Sequence, residues 1–135
     1  MEVVLSHSDS DVWSCQISLR IIYDANGILL SEPHVIPFGE TLYESEVVEQ
    51  RLFGAQAAIL QLPFMEEHSV VEFLKEEYEA PAKPPVDFSR NVIRLEVSGS
   101  DLVDVTFIDL PGIISNANQV HMFELFSNTR NGLIQ

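Results

Sequence analysis

From Trp13 to Tyr23 the apolar side chains Trp13, Cys15, Ile17, Leu19, Ile21 and Tyr23 fall on every second residue, with Ser14, Gln16, Ser18 and Arg20 between them. A period of two sends alternate side chains to opposite faces of an extended chain, so this segment predicts a long strand buried on one face. The short β-branched run "VVLS", residues 3 to 6, predicts an antiparallel neighbour for it across the polar "HSDSD" connection. "DANG", residues 24 to 27, supplies Asn-Gly, the pair most tolerant of the positive φ that a tight turn requires.

The period then changes. Thr41-x-x-Glu44 has the form of a capping box, in which a hydroxyl and a carboxylate each satisfy an unpaired backbone N–H at a helix start. It predicts a helix running to about Gln61, with Val48, Leu52, Ala55 and Ile59 as one buried stripe. Ser69-x-x-Glu72 repeats the box, and Val70, Phe73, Leu74 and Tyr78 predict a shorter second helix. "APAKPP", residues 80 to 85, ends it in a loop within the domain, since proline lacks a donor and clashes with a helical turn.

Alternation returns in "RNVIRLEV", where Ile93, Leu95 and Val97 predict a strand with one wet face bearing Arg94 and Glu96. After the turn "SGSDL", residues 103 to 108 are apolar on both faces. The two are expected to form an antiparallel hairpin whose first strand lies nearer the sheet edge and whose second is central. Strands and helices together make α/β the expected fold class.

With 135 residues, 46% of them apolar, the chain is long enough for one domain with a core. Seven basic against 21 acidic residues give a net charge of −14, which disfavours nucleic acid as a partner. The acids concentrate between Glu40 and Glu79, where they form either a solvated helical face or a docking surface for a basic partner. Cys15 is the single cysteine, so no intrachain disulfide can form and a reduced, cytoplasmic setting is expected. The first residues lack a basic stretch followed by an apolar core, and no run of about 18 apolar residues occurs, so membrane contact is expected to be peripheral at most.

The candidate chemistry lies where the last strand ends, in Asp109-Leu110-Pro111-Gly112. A carboxylate at the carboxyl end of a strand sits where open α/β sheets place their ligands. In nucleotide triphosphatases such an acid holds Mg²⁺, usually through a water, and a glycine three residues on can offer its N–H to the terminal phosphate. Glycine suits that position because a Cβ would hinder close approach of the backbone to phosphate. The plainer reading is a Pro-Gly turn. His7, His34, His68 and His121 lack ligand spacing, so no metal site is expected from them. Cys15 falls at an inward strand position and reads as a buried small hydrophobe, and no G-x-S-x-G elbow occurs.

Over a longer stretch, "FSRNVIRLEVSGSDLVDVTFIDLPGIISNA", residues 88 to 117, resembles the segment leading into switch II of dynamin-type GTPases, particularly the dynamin-like GTPases of fungi. "MEVVLSHSDSDVWSCQISLRIIYDANG" and "AQAAIL" resemble the region after switch I in those proteins, which carry a long insertion before the switch II hairpin. The resemblance covers residues 1 to 118 and implies part of a phosphate-loop GTPase-like G domain, with residues 119 to 135 a divergent tail. It implies, in addition, a mixed sheet with an antiparallel hairpin ending at switch II and flanking helices from the insertion. It also implies GTP and Mg²⁺ as ligands of the complete domain, Asp109 holding Mg²⁺ indirectly and Gly112 contacting the γ-phosphate. Self-assembly, peripheral membrane contact and membrane remodelling are implied for the full-length protein.

The departures are equally specific. No Gly-Lys dipeptide occurs, so the G-x-x-x-x-G-K-[ST] phosphate loop is absent, and neither Lys75 nor Lys83 has an aspartate two residues later, so the guanine-reading pattern is absent too. The chain starts just after the family's switch I threonine. The expectation is a piece of a GTPase domain, truncated or degenerate, that binds nucleotide very weakly alone and contributes no catalytic residue itself. The alternative is a non-enzymatic acidic α/β module that binds a basic partner.

Overall fold

The computed structural model describes residues 1–65, 69–75 and 89–108. These form five strands, β1 (Glu2–His7), β2 (Ser14–Tyr23), β3 (Leu29–Pro37), β4 (Val92–Gly99) and β5 (Val105–Ile108), and one α-helix, α1 (Val48–Gln61). The strands make one mixed sheet in the order β3-β2-β4-β1-β5. The α/β class is as the periodicity predicts, and the sheet is mixed, as expected.

The alternation in β2 is realised directly, since Cys15, Ile17, Leu19 and Ile21 are all buried. They share a face with Val3 and Leu5 of β1 and with Ile93, Leu95 and Val97 of β4. Helix α1 lies against β2 and β4 on that face, burying Val48, Leu52, Ala55, Ala58 and Ile59. The predicted stripe is thus the core-facing stripe. The helix ends at Gln61 as expected, because Pro63 has no N–H to continue the ladder and the chain tightens into a 3-10 turn, Leu62–Phe64.

Two strand pairings differ from expectation in the same way. β1 does not pair with β2; it pairs in parallel with β4 and antiparallel with β5. Likewise β4 and β5 run antiparallel but are not neighbours, so the predicted hairpin is opened by β1 lying between its strands. The reason lies at the turn. Both edges of β2 are taken, by β3 and by β4, and the segment after Gly99 crosses the end of β1 instead of doubling back. That crossing is tied down by His7, whose backbone N–H donates to Asp104 Oδ1 at 2.9 Å and whose Nδ1 lies 3.2 Å from Leu102 O. Ser8 N–H donates to Gly99 O at 3.0 Å and completes the fastening.

Among the described residues β5 is consequently an edge strand and not a central one. Val105 and Phe107 stand opposite Leu5 and Val3 and so face the core side, yet they remain 37% and 45% exposed. The helix covers the middle of the sheet and does not extend over β5. On the opposite edge β3, with Pro33 and Pro37, has no clear alternation, and the sequence pattern assigns no element to it.

The capping boxes do not form. Thr41 Oγ1 donates to Gln16 Oε1 at 2.8 Å instead of capping a helix, and the chain enters α1 through a 3-10 turn, Ser45–Val47, without a side-chain cap. Of the predicted second helix, the described residues 69–75 hold a single 3-10 turn, Glu72–Leu74, with no side-chain cap. Its remainder, and the proline-rich loop, lie outside the described residues. Glu40, Glu44, Glu46, Glu49 and Glu72 are exposed, as on a solvated face.

Candidate functional site

Asp109 and Gly112 lie outside the described residues, which end at Ile108. The strand that precedes them is described. Ile108 stands opposite Glu2, so β5 ends at the sheet end where β1 and β4 begin and β2 finishes. That end is firmly built. Asn91 Oδ1 accepts the N–H groups of Ile22 and Tyr23, each at 2.8 Å, and Asn91 Nδ2 donates to Tyr23 O at 3.2 Å. The Arg90 guanidinium lies 4.1 Å from the Tyr23 ring centroid, within range of a cation–π contact. On the sheet face turned away from α1, Arg20 Nη1 lies 3.8 Å from Glu2 Oε2, and Arg94 Nε lies 3.2 Å from Glu96 Oε1 without the alignment of a hydrogen bond.

The other end of the sheet carries a concavity. Where the parallel strands β1 and β4 finish, a pocket of about 320 Å³ is lined by Asp11, Trp13, Tyr43, Ser100, Asp101 and Leu102, among others. Its walls are set by short-range features of the fold. Cys15 and Leu42 exchange backbone hydrogen bonds at 2.8 and 2.7 Å, which brings Tyr43 alongside the start of β2. The Trp13 indole lies against the end of β4, at a distance where a Cβ on Gly99 would make an ordinary van der Waals contact with Trp13 Cδ1, 3.4 Å away. Leu102, buried, donates its N–H to Gly99 O at 3.3 Å and holds the turn that carries Asp101.

Two observations give this pocket chemical character. Trp13 keeps its Nε1–H buried and without an acceptor among the described residues, a cost of about 1–3 kcal/mol for a donor shut away from water. Asp11 and Asp101 meet no hydrogen bond or ion pair among the described residues. The sequence offers no motif for this grouping, because Asp11, Tyr43 and Asp101 are far apart in the chain. The available signal is that Trp13, the single tryptophan, opens the long strand directly behind Asp9 and Asp11.

Among the described residues no three His, Cys, Asp or Glu side chains group as a metal site would need, and no helix is long and apolar enough to cross a membrane. Cys15 is buried, and desolvation pushes its thiol from 9.0 up to about 12, which makes it an inert core residue. No family model, curated protein or solved structure matches the chain.

Proposed function

We propose that the chain is part of a dynamin-type G domain, in which Asp109 holds Mg²⁺ through a water and Gly112 meets the γ-phosphate of GTP. The observation that carries this reading is the run of residues 88 to 117, with Asp109 and Gly112 at switch spacing immediately after β5. The mixed sheet supports it, because β5 ends one residue before Asp109 at a sheet end stiffened by Asn91 and Tyr23. The described residues offer neither a phosphate loop nor a metal-ligand group, so the nucleotide would be held mainly by groups outside this chain. Alone, the chain is expected to bind Mg²⁺·GTP no better than about millimolar, equivalent to about 4 kcal/mol. Self-assembly and peripheral membrane contact in a cytoplasmic protein belong to the same proposal.

The test is the coding sequence immediately upstream, followed by turnover. An in-frame G-x-x-x-x-G-K-[ST] segment is expected, and the chain extended to include it should hydrolyse GTP. Asp109→Asn should then lower turnover by about one to three orders of magnitude at unchanged melting temperature, since it removes the charge that holds the metal-bound water. Absence of that segment, or turnover within about twofold of the parent in the Asn variant, leaves Asp109 as the start of a Pro-Gly turn.

A further inference from the structure

We infer that the pocket at the carboxyl ends of β1 and β4 binds an arginine or lysine side chain presented by a peptide segment. Two features of the pocket point to the same occupant. Asp11 and Asp101 place two carboxylates on a wall that has no cationic side chain among the described residues, and the chain's net charge of −14 deepens the negative potential there. Trp13 and Tyr43 supply aromatic faces, and Tyr43 is 60% exposed, so a cation entering between them gains a cation–π contact. A divalent cation fits less well, because among the described residues no third His, Cys, Asp or Glu joins the two carboxylates. The pocket's volume of about 320 Å³ lies at the small end of ligand sites, about 300–1,000 Å³, and suits one side chain better than a nucleotide.

The site is separate from the proposed nucleotide position. Ile108 stands opposite Glu2, whereas the pocket lies beyond His7 and Gly99, so the length of β1, roughly 17 Å at about 3.3 Å per residue, lies between them. The inference therefore stands whether or not Asp109 serves a switch.

Trp13, as the single tryptophan, reports on its own site. The peptide acetyl-Gly-Arg-Gly-amide is titrated against the whole chain while tryptophan emission is followed, with the citrulline peptide as its neutral counterpart. A saturable emission change with the arginine peptide, weakened at high salt and at least about tenfold weaker for citrulline, is expected. Asp11→Asn with Asp101→Asn should weaken arginine-peptide binding by about tenfold or more, whereas Glu32→Gln with Glu49→Gln, which removes equal charge elsewhere, should change it less than about twofold. Amide chemical shifts of Asp11, Ser100 and Asp101 provide a second readout if the indole is silent. Equal binding of the two peptides, equal effects of the two double variants, or no saturable change in either readout would overturn the inference.

Discussion

Asn91 takes the place of a missing strand residue beside Tyr23: its side-chain amide accepts the N–H of Tyr23 at 2.8 Å and donates to the carbonyl of the same residue at 3.2 Å. The β2–β4 ladder ends with Arg20 opposite Val92, and the amide continues it for a further step. Asn91→Ala should leave the Ile22 and Tyr23 donors unsatisfied and cost about 1–3 kcal/mol. Asn91→Asp keeps the acceptor and should cost less. Urea denaturation of the two variants checks the order, and equal stability of Asn91→Ala and the parent would show the clamp to be idle.

Gly54 lies where α1 meets the 3-10 turn at Glu72–Leu74. A Cβ there would stand 2.7 Å from the carbonyl oxygen of Phe73, and backbone cannot yield as a flexible side-chain end can. Gly54→Ala should therefore destabilise by about 1–3 kcal/mol, despite alanine's better helix propensity. Gly27 is the useful contrast. It has φ of +76° in the Asp24–Gly27 turn with open space around it, so Gly27→Ala should cost only the left-handed strain, about 1–2 kcal/mol. Refined coordinates of the two variants should show Phe73 displaced in the first and nothing displaced in the second.

The buried thiol sets an alkaline limit. Cys15 is raised in the folded state to about 12 from 9.0, so the fold favours the neutral form. Its contribution is fully present below pH 9 and is lost as the pH rises towards 12, where the unfolded chain has released a proton that the folded chain retains. Over that window stability should fall by up to about 1.4 kcal/mol per pH unit. Cys15→Ala should flatten this slope while lowering stability at neutral pH by about 1–3 kcal/mol through the cavity it leaves. A thiol reagent should label the parent only as fast as it unfolds.

Among the described residues no strand pairs with the outer edge of β5, and its Ile108 is 78% exposed. Such an edge is a template for pairing with another chain. The isolated chain should associate at rising concentration, and Ile108→Lys should suppress that association without altering the melt of the monomer. Light scattering across a concentration series is the measurement; a parent that stays monomeric throughout, with a cooperative melt well above about 50 °C, would contradict both the open edge and the domain-fragment reading.

What the sequence reveals here follows the range of the interactions involved. The faces of β2 and β4 and the buried stripe of α1 are local periodicities, and Cys15, Leu95 and Leu52 lie where that pattern puts them. Strand adjacency is not local. Nothing in "VVLS" distinguishes β2 from β4 as a partner, and the choice is made by fastenings such as His7 to Asp104 that join the two ends of the chain. β5 reads as central because it is apolar on both faces, but apolarity does not say how far the helix extends over the sheet. Thr41 and Glu44 match a cap in pattern, and the Thr41 hydroxyl is claimed by Gln16. The pocket at Trp13 is assembled from three segments and has no sequence signature, while the Asp109–Gly112 spacing is a sequence signature whose geometry lies outside the described residues.

The placement of β1 between β4 and β5 has a bearing on how the chain is made. β1 has no partner until β4 and β5 have emerged from the ribosome, since His7 and Asp104, which fasten it, are separated by 97 positions. The β2–β3 hairpin can close while synthesis continues, but Val3 and Leu5 must wait as exposed apolar side chains. Rates of folding fall as contacts become more distant in sequence, and waiting strands are where aggregation starts. Nascent chains halted before Val92 should accordingly be held by chaperones through the β1 segment, residues 2 to 7, and release only once β4 has arrived.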